Sequence, residues 1–416
     1  MKVVVIAGGQ GTRIASVNNE IPKAMIPING KPILEYEVDM AKRYGYTDFL
    51  FIIGYMGDQI ENYFGNGEKW GVSIEYFKEA QPLGTAGALG FLKDKLTEDF
   101  FVFYGDTVMD FDMHHMLNFH RNKNADATLF LHPNDHPYDS DIIILDTERK
   151  VVKFYNKPHD EGFVSRNIVN AALFIFSPKV LDKIKVGVKS HIEKNVLPMC
   201  LEAGMKLYGY LSSEYIKDMG TPDRYNSVCD DVMSGKVTRL NRKNSRPAIF
   251  LDRDGVITKE VNLLSRPDQL ELVEGAAEAI RYINHKGYLA VVVTNQPVIA
   301  RNLCSIEELE YIHAKLETML GREHAYLNAI YYCPHHPDAG YPEERKEYKV
   351  KCGCRKPAPG MLLQAAEDWN IDMANSYMIG DRESDVQAGI NARCKAAYLI
   401  ETNKENALLN ILKNLI

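Results

Sequence analysis

The chain has 416 residues, of which 45% are hydrophobic and 25% are charged, and its formal net charge is −7. These proportions are typical of a soluble globular protein, and the length exceeds what one ordinary hydrophobic core requires, so we expect two domains. The negative charge argues against a protein that binds nucleic acid mainly by electrostatic attraction. Small phosphorylated substrates are not excluded, because they need only a local basic pocket.

The first residues are not typical of a signal peptide. The apolar run in MKVVVIAGGQG is too short and is followed by glycines, and no stretch of the sequence reaches the length of a membrane span. Seven cysteines, an odd number, without a secretion signal are typical of a reducing compartment. We therefore expect a cytoplasmic protein that does not bind membranes.

Short β-rich runs alternate with longer helical patterns along the chain. The first half contains KVVVIAG, DFLFIIG, SIEYFKE and DFFVFYGD, and the second half contains AIFLD, LAVVVTN, AIYYC and SYMIGD, with amphipathic segments at 272–286 and 306–320. This alternation predicts an α/β fold in which helices cover parallel sheets. Ligands of such sheets bind at the carboxyl ends of the strands, where both halves carry their most polar motifs.

The two halves meet at a basic stretch. Residues 234–246 have five basic side chains and almost no apolar periodicity, and Pro247 follows them. We predict a first domain at 1–233, a linker at 234–246 and a second domain at 247–416. An anionic partner is the alternative explanation for the basic residues, and a solvated connector is favoured.

The first strand runs into a glycine-rich loop, AGGQGTR, at residues 7–13. Three glycines in four positions let the backbone approach a phosphate group and point its N–H groups at it. Arg13 can add a bidentate phosphate contact, and Lys23 supplies a second cation ten residues further on. A plain turn is the alternative, because the spacing is not that of a Walker loop or of a dinucleotide fingerprint.

Two aspartates of the first half are candidate Mg²⁺ ligands. Asp106 ends an apolar strand in FYGDTVM, and Asp218 lies in KDMGTPDRY. Mg²⁺ in proteins favours one or two carboxylates together with phosphate oxygens. Each aspartate alone could equally be a turn or helix-cap residue.

Together these motifs resemble the sugar-1-phosphate nucleotidyltransferase family over roughly residues 1–233. They occur in the family's order: GGQGTR, PKAMIPINGKPIL, PLGTAGAL, YGDT, NKP, VNAALFIFSP and DMGTPDRY. The resemblance implies a Rossmann-like fold in which a sugar 1-phosphate attacks the α-phosphate of a nucleoside triphosphate and pyrophosphate leaves. Asn156 stands where the family often has glutamate.

The resemblance also implies roles for individual residues. The triphosphate would be held by Gly8, Gly9, Gly11, Thr12 and Arg13, with Lys23 neutralising its charge, so that Arg13 and Lys23 would act in catalysis. The base would face Gly84 and Thr85, and the sugar phosphate would face Lys157 and Asn170. Mg²⁺ would be held by Asp106 and Asp218.

The second half opens with a pair of carboxylates. In FLDRDGVI, Asp252 and Asp254 are two residues apart at a strand end, so both side chains point to the same face. One can attack phosphorus while the other carries a proton. A lone Asp-x-Asp is usually a turn, but three further strand-end motifs follow in order: VVVTNQ, CRKPAPG and YMIGDRESD, the last of which supplies Asp381 and Asp385.

These motifs resemble the haloacid-dehalogenase-type phosphatase superfamily from about 247 to 400. The match is nearest to the histidinol-phosphate and heptose-bisphosphate phosphatase branch, which has little or no cap domain and carries a zinc loop. The resemblance implies a Rossmannoid fold, with Asp252 as the nucleophile and Asp254 as the general acid and base. It implies Mg²⁺ at Asp252, Asp381 and the Asp254 carbonyl, and substrate contacts from Thr294, Asn295, Arg355 and Lys356.

Three of the seven cysteines lie close together before the motif lysine. The pattern C-x-H…C-x-C is formed by Cys333, His335, Cys352 and Cys354. Four N and S ligands in two close pairs predict a closed, structural Zn²⁺ site. A redox pair, thiols without a role, or His336 in place of His335 are the alternatives, and C-x-C is not the usual redox spacing.

A sugar bisphosphate connects the two resemblances. Removing the 7-phosphate of a heptose 1,7-bisphosphate gives heptose 1-phosphate, and the first half is nearest to heptose-1-phosphate guanylyltransferases, which favours GTP. We therefore expect two consecutive steps to an NDP-heptose for bacterial surface glycans. The alternatives are another sugar, a silent regulatory half, or a scaffold role in which the last helix forms a homo-oligomer contact.

Overall fold

The computed structural model describes residues 1–9, 20–338, 340 and 343–416, and these form two compact units. Unit 1 consists of Met1–Leu131, Ile143–Asn156 and Asn170–Lys243. Unit 2 consists of His132–Ile142, Lys157–Val169 and Asn244–Ile416, so it includes two short segments from the first half of the sequence. The domain bounds expected from the sequence stay a prediction.

The eight strands expected from the sequence are all present, and the α/β fold class is confirmed. From Met1 to Lys243 the strands are β1 (Val3–Ala7), β2 (Pro27–Ile28), β3 (Lys31–Pro32), β4 (Asp48–Ile53), β5 (Ser73–Lys78), β6 (Phe100–Tyr104), β7 (Thr107–Asp110), β8 (Ala127–His132), β9 (Ile142–Leu145), β10 (Val151–Tyr155), β11 (Val169–Phe176), β12 (Leu207–Leu211) and β13 (Tyr215–Asp218). The helices are α1 (Ile33–Arg43), α2 (Gly57–Phe64), α3 (Met113–Asn122), α4 (Leu197–Glu202), α5 (Pro222–Met233) and α6 (Lys236–Arg239).

Unit 1 is built on a mixed sheet with the strand order β10-β9-β11-β6-β1-β4-β5, in which β8 pairs with β11 and β12. The central strands β6, β1, β4 and β5 run parallel, and β11 is antiparallel to β6. Residues of β1 and β4 are almost fully buried, which explains why they are continuous apolar runs. The parallel arrangement brings Gly8 and Gly9 after β1 and Asp106 after β6 to the same edge of the sheet.

The basic stretch at 234–246 begins with ordered structure. It contains α6, and Val237 packs in a small apolar cluster with Val228 of α5 and Met219. Buried Asn241 donates hydrogen bonds to Asp110 Oδ1 (2.6 Å) and to the Tyr44 hydroxyl (2.8 Å). Apolar periodicity could not reveal this packing, because a helix of four residues offers too few positions for a pattern.

Unit 2 contains a parallel sheet of five strands in the order β16-β15-β14-β17-β18. These strands are β14 (Ala248–Leu251), β15 (Leu289–Asn295), β16 (Ala329–Cys333), β17 (Tyr377–Gly380) and β18 (Ala396–Leu399). The helices are α7 (Ala276–Lys286), α8 (Ile306–Arg322), α9 (Gly360–Trp369), α10 (Glu383–Asn391) and α11 (Ala407–Leu415). The expected helix at 272–286 begins only at Ala276, because Gly275 has a left-handed φ of 82°.

Side chains of the central strands alternate between two cores. Ile249 and Leu251 of β14 belong to one buried cluster with α7, α8 and α11, whereas Ala248 and Phe250 belong to another with α9 and α10. Both faces of the sheet are therefore covered, as expected for an all-parallel sheet. Leu408, Leu409 and Leu412 of α11 pack in the first cluster, so these residues of the last helix serve the core of unit 2.

Helix α8 begins with a capping box and presents two different faces. Ser305 and Glu308 exchange hydrogen bonds at its start, and an apolar stripe that includes Leu309 and Leu316 enters the core. On another face, Arg166 pairs with Glu310 and Glu317 at 2.8 and 2.9 Å. The segment around Arg166 is thereby held on the helix within unit 2.

None of the helices within the described residues is long and apolar enough to cross a membrane.

Leu316 offers a test of the α8 packing. Its side chain is fully buried, and truncation to alanine leaves a cavity, so we expect Leu316→Ala to reduce the free energy of unfolding by about 2–5 kcal/mol. Urea denaturation measures the loss. Tyr311→Ala on the same helix is the control, because that ring is 50% exposed and should change the value by less than about 1 kcal/mol. Equal losses for both variants would contradict the packing described.

Candidate active sites

The centre of the polar site of unit 2 is a buried lysine. Lys356 is 3% exposed, and its ammonium group donates to Asp252 Oδ1 (2.8 Å) and the Val293 carbonyl (2.7 Å) and pairs with Asp385 Oδ1 (2.7 Å). All three donors of the ammonium group are thus used. Burial lowers the pKa of Lys356, but the charges of Asp252 and Asp385 outweigh it and raise that pKa above its ordinary value. The lysine is held charged against the predicted nucleophile.

Asp252 follows directly after β14, and Asp381 follows directly after β17. Because β14 and β17 are parallel neighbours, their carboxyl ends bring the two side chains together. Burial, and then the charges of Asp385 and Asp254, raise the pKa of Asp252, while Lys356 opposes them. The raised pKa means that Lys356 only partly offsets the effects of burial and of the neighbouring carboxylates on Asp252.

The residues present fit a divalent cation. Asp252, Asp381 and Asp385 each offer a carboxylate oxygen within 4.8 Å of the others, and Asp381 Oδ1 is buried and has no hydrogen-bond partner among the residues that the structure describes. Hard oxygen ligands of this kind suit Mg²⁺. The side chain of Asp254 lies outside this group, consistent with the expectation that only its backbone carbonyl would contribute.

Asp254 is held by four hydrogen bonds. Its Oδ1 accepts from Arg253 Nε (2.9 Å) and Thr258 Oγ1 (3.1 Å), and its Oδ2 accepts from an Arg253 NH2 group (2.9 Å) and Gln296 Nε2 (2.9 Å). Burial raises the pKa of Asp254, but the charge and hydrogen bonds of Arg253 and the bonds from Gln296 and Thr258 outweigh it, so the pKa is lowered. The predicted acid and base is firmly oriented.

The remaining predicted residues of this half lie around the lysine. The Asn295 side chain exchanges two hydrogen bonds with the backbone of Lys356 (3.0 and 3.1 Å), so it fixes the loop that carries the lysine. Thr294 Oγ1 accepts from Gln296 Nε2 at 3.0 Å. Arg355 donates to the His335 carbonyl at 3.0 Å and lines the cavity described next.

A cavity of about 340 Å³ opens onto these groups. Asp252, Asp254 and Lys356 form part of its wall, and Arg301, Arg355, Arg382 and His336 line it as well. Such basic side chains at a carboxylate-bearing pocket suit an anionic substrate that carries more than the transferred phosphate group.

The four predicted zinc ligands come together. The Sγ atoms of Cys333, Cys352 and Cys354 are 3.1–3.5 Å apart, and His335 Nδ1 is 3.4 Å from Cys354 Sγ and 3.7 Å from Cys333 Sγ. Three sulfurs and one imidazole nitrogen at these separations fit one tetrahedral Zn²⁺. His336, the alternative ligand, lies outside this group and lines the cavity.

In unit 1, Lys23 forms an ion pair with Asp106. Asp218 lies beside them, because β13 pairs with β7 so that Asp218 is opposite Thr107, and Met219 N donates to the Asp106 carbonyl (3.1 Å). Burial raises the pKa of Asp218, but the charges of Arg224 and Lys23 and the Gly220 N–H lower it overall. The two predicted Mg²⁺ ligands are therefore neighbours, and both interact with the predicted catalytic lysine.

The predicted nucleotide loop is only partly described. Gly8 and Gly9 follow β1, whereas Gly11, Thr12 and Arg13 lie outside the described residues. A Cβ atom on Gly8 would lie 2.4 Å from Glu79 Oε2, so only glycine allows that carboxylate to lie against the loop. Glu79 Oε1 accepts a hydrogen bond from Leu83 N (3.2 Å), next to the predicted base-binding Gly84.

Gly84 and Thr85 form a tight contact with the loop before α4. Gly84 has a φ of 75°, and a Cβ atom there would lie 2.3 Å from the Ser190 carbonyl oxygen. Thr85 Oγ1 accepts from Ile192 N at 2.9 Å. Of the predicted sugar-phosphate residues, Asn170 belongs to unit 1, whereas Lys157 belongs to unit 2, where its Nζ donates to the Asp139 carbonyl (2.9 Å).

Three residues of these sites were not among those predicted. Asp385, which the motif YMIGDRESD supplies together with Asp381, lies on the first turn of α10. Glu79, Arg253 and Gln296 gave no sequence signal of their own. Their roles depend on side-chain positions between strands that are distant in sequence.

The grouping of carboxylates, a buried lysine and an anion-suited cavity defines an enzyme of phosphoryl-group chemistry. The chain belongs to the nucleotidyl transferase family, whose model, "Nucleotidyl transferase", matches residues 2–235. A second model, "HAD-hydrolase-like", matches residues 353–409. Both matches confirm the resemblances drawn from the motifs.

Two curated relatives cover different parts of the chain. Mannose-1-phosphate guanylyltransferase of Mycobacterium tuberculosis is 34% identical over 234 residues, which are 56% of this chain and 64% of that protein. D-glycero-beta-D-manno-heptose-1,7-bisphosphate 7-phosphatase of Yersinia pestis is 40% identical over 160 residues, 38% of this chain and 83% of that protein. By this second relative, the chain also belongs to the family of HAD-like phosphatases.

Among solved structures, HddC from Yersinia pseudotuberculosis complexed with GMP-PN is 24% identical, covers 56% of this chain and 99% of its own, and has a TM-score of 0.48. The family assignment rests on the sequence matches.

The zinc cluster gives a test by metal analysis. Protein prepared without chelator should contain about one tightly bound Zn²⁺ per chain, as expected for one closed site of four ligands. Cys352→Ser should lose this zinc and reduce phosphatase activity at least about tenfold, because Arg355 and Lys356 lie at the end of the same loop.

Cys394→Ser is the matched control, because Cys394 belongs to the same unit but lies outside the cluster, and it should keep both zinc and activity. Wild-type protein without zinc, or a Cys352→Ser variant that loses zinc at full activity, would overturn the assignment.

Proposed function

We propose that the chain is a bifunctional enzyme of NDP-heptose synthesis. Unit 2 removes the 7-phosphate of a D-glycero-D-manno-heptose 1,7-bisphosphate, and the nucleotidyltransferase part then transfers GMP from GTP to heptose 1-phosphate and releases pyrophosphate. The proposal is supported by the 40% identity to a heptose-bisphosphate phosphatase and by the 34% identity to a sugar-phosphate guanylyltransferase. Both steps take place in the cytoplasm on this proposal.

The observation that carries the phosphatase step is the contact of Lys356 with Asp252 and Asp385. A carboxylate oxygen of Asp252 attacks phosphorus and the bond between phosphorus and the ester oxygen breaks. Asp254, which must first take up a proton because its described partners lower its pKa, gives that proton to the leaving oxygen. Water then attacks the aspartyl-phosphate while Asp254 takes up a proton, so that phosphate leaves and Asp252 is restored. Throughout, Lys356 neutralises charge on the phosphoryl oxygens.

Two metal ions belong to the proposal for unit 2. Mg²⁺ held by Asp252, Asp381 and the Asp254 carbonyl supplies further charge neutralisation, and the place of Asp385 in the same group adds a fourth candidate ligand. Zn²⁺ at the cysteine cluster is structural, since three cysteines and one histidine fill a tetrahedral site.

The transferase step needs no protein nucleophile. Lys23 and Arg13 neutralise the triphosphate. Asp106 and Asp218 would hold Mg²⁺, which would supply further neutralisation of the charge on pyrophosphate. The ion pair of Lys23 with Asp106 supports this set, because the lysine is already directed to the metal-side carboxylate. Positioning and charge neutralisation supply the rate enhancement.

Glu79 supports guanine as the base. Its carboxylate lies between Gly8 of the nucleotide loop and the N–H group of Leu83, next to Gly84. Guanine presents two adjacent donors, N1–H and the 2-amino group, on its Watson–Crick edge, and a carboxylate accepts both. Uracil and thymine present one donor there, which a carboxylate satisfies less well.

Mannose 1-phosphate is the second candidate for the sugar, because the guanylyltransferase relative is named for it. The deciding experiment incubates the purified chain with heptose 1,7-bisphosphate and GTP and follows the products by mass. GDP-heptose, phosphate and pyrophosphate are expected. Efficient formation of GDP-mannose from mannose 1-phosphate, without turnover of the heptose bisphosphate, would favour the second candidate.

A single substitution should separate the two activities. Asp252→Asn removes the nucleophile, so phosphate release should fall at least about a thousandfold, while nucleotidyl transfer from heptose 1-phosphate stays within about twofold of wild type. Both products can be measured in the same reaction mixture. Parallel loss of both activities in a folded variant would refute two independent chemistries.

The role of Glu79 can be measured with a nucleotide that lacks one donor. Inosine triphosphate has no 2-amino group, so wild type should prefer GTP over it by about tenfold or more in kcat/KM, and Glu79→Gln should reduce this preference to about twofold. Glu75→Gln is the control, because Glu75 lies on β5, which ends just before Glu79, and pairs with Lys2 and Lys95. An unchanged preference in Glu79→Gln would show that another group reads the base.

A further inference from the structure

The hydrogen bonds that hold Asp254 lead to a residue outside the motifs. Arg253 is fully buried, and it gives its Nε and one NH2 group to the two carboxylate oxygens of Asp254. The same NH2 group also donates to Gln296 Oε1 at 2.9 Å, and Gln296 in turn donates to Asp254. Arg253 and Gln296 thus form a fork that contacts both carboxylate oxygens.

The other terminal nitrogen of Arg253 points to helix α8. It lies 3.2 Å from His313 Nε2, and because a guanidinium group only donates, His313 Nε2 must be the acceptor. The proton of the neutral ring is then on Nδ1. Burial, and then the charges of Arg253 and Arg166, hold the pKa of His313 well below its ordinary value, consistent with this neutral form.

A neutral acceptor has a particular advantage at this place. A carboxylate here would form its own ion pair with Arg253 and compete with Asp254 for the guanidinium group. An imidazole satisfies the remaining side of the guanidinium group and leaves its charge directed to Asp254. His313 therefore orients the arginine without competing for it.

His313 is poorly explained as a packing residue. It is fully buried, and its Nδ1 has no hydrogen-bond partner within the described residues. Neighbouring core positions of α8, such as Leu309 and Leu316, are filled by leucine, which buries no polar atom. A buried imidazole with one unsatisfied nitrogen reduces the stability of the fold, so its presence here is best explained by a role of the other nitrogen.

We propose that His313 is a positioning residue of the phosphatase reaction, which acts by holding Arg253 so that the fork fixes Asp254 for proton transfer to the leaving group. This inference rests on the proposed phosphatase function. In the step concerned, the bond between phosphorus and the ester oxygen breaks, and that oxygen takes a proton from Asp254. A poorly oriented Asp254 should therefore reduce the rate most when the leaving group needs that proton.

The dependence on the leaving group distinguishes this role from a structural one. An alkyl phosphate, such as the heptose bisphosphate, releases a poor leaving group and needs the proton, whereas p-nitrophenyl phosphate releases a stable phenolate without it. The value of kcat/KM covers the steps up to release of the alcohol. We expect His313→Leu to reduce kcat/KM about tenfold or more for the alkyl substrate and at most about twofold for the aryl substrate.

Three further variants complete the test. His313→Gln retains a neutral acceptor and should recover most of the alkyl activity. Asp254→Asn should show the same selective loss, and adding His313→Leu to it should cost no more than about twofold further, because both changes affect one step. Leu316→Ala destabilises the same helix without removing a hydrogen bond, and it should leave the ratio of alkyl to aryl activity unchanged.

The outcomes separate the inference from the function on which it rests. Wild type that hydrolyses neither substrate refutes the phosphatase itself. If wild type is active and the folded His313→Leu variant loses activity on both substrates equally, or on neither, the proposed role of His313 is wrong. If His313→Leu does not fold, His313→Phe, which keeps a planar ring but has no acceptor, decides the question by the same ratio of alkyl to aryl activity.

Discussion

The active geometry of unit 2 depends on one buried charge. The ammonium group of Lys356 is nearly inaccessible to water, and a charge in that position is tolerated only when opposite charges and acceptors surround it. Asp252, Asp385 and the Val293 carbonyl meet this demand, and they come from three different strand ends or helix starts. Displacement of one of these elements would leave a donor of the buried ammonium group unsatisfied, so the constraint holds all three elements in register.

Residues further from the lysine hold other parts of the site in place. Asn295 fixes the lysine backbone, and Cys333 and His335 lie beside Cys352 and Cys354, which shortly precede the lysine. On the other side of the site, Arg253 and Gln296 fix Asp254. Lys356 and Asp254 are therefore each held by groups that would not contact the phosphate, which is how a site can remain ordered before substrate arrives.

The sequence was most informative where the chemistry lies at strand ends. Asp252, Asp381 and Lys356 could be placed because a short apolar run followed by a polar motif predicts both the strand and its carboxyl end. Asp385 could be placed as well, because it follows Asp381 by about one helical turn. Glu79, Arg253 and His313 could not be placed, because their contacts join strands and helices whose pairing the sequence pattern does not reveal, and α6 in the basic stretch was too short to leave a pattern.

The composition of unit 2 limits how this chain could be divided in evolution. Arg166, Ser165 and Asn167 reach α8 from the first half of the sequence, and Glu317 accepts from both Arg166 Nε and Asn167 N. A gene fission at the basic stretch would leave Glu310 and Glu317 on α8 without their cation, so the freed phosphatase would need compensating substitutions on that helix. Division of the chain at the basic stretch would therefore not yield an intact unit 2.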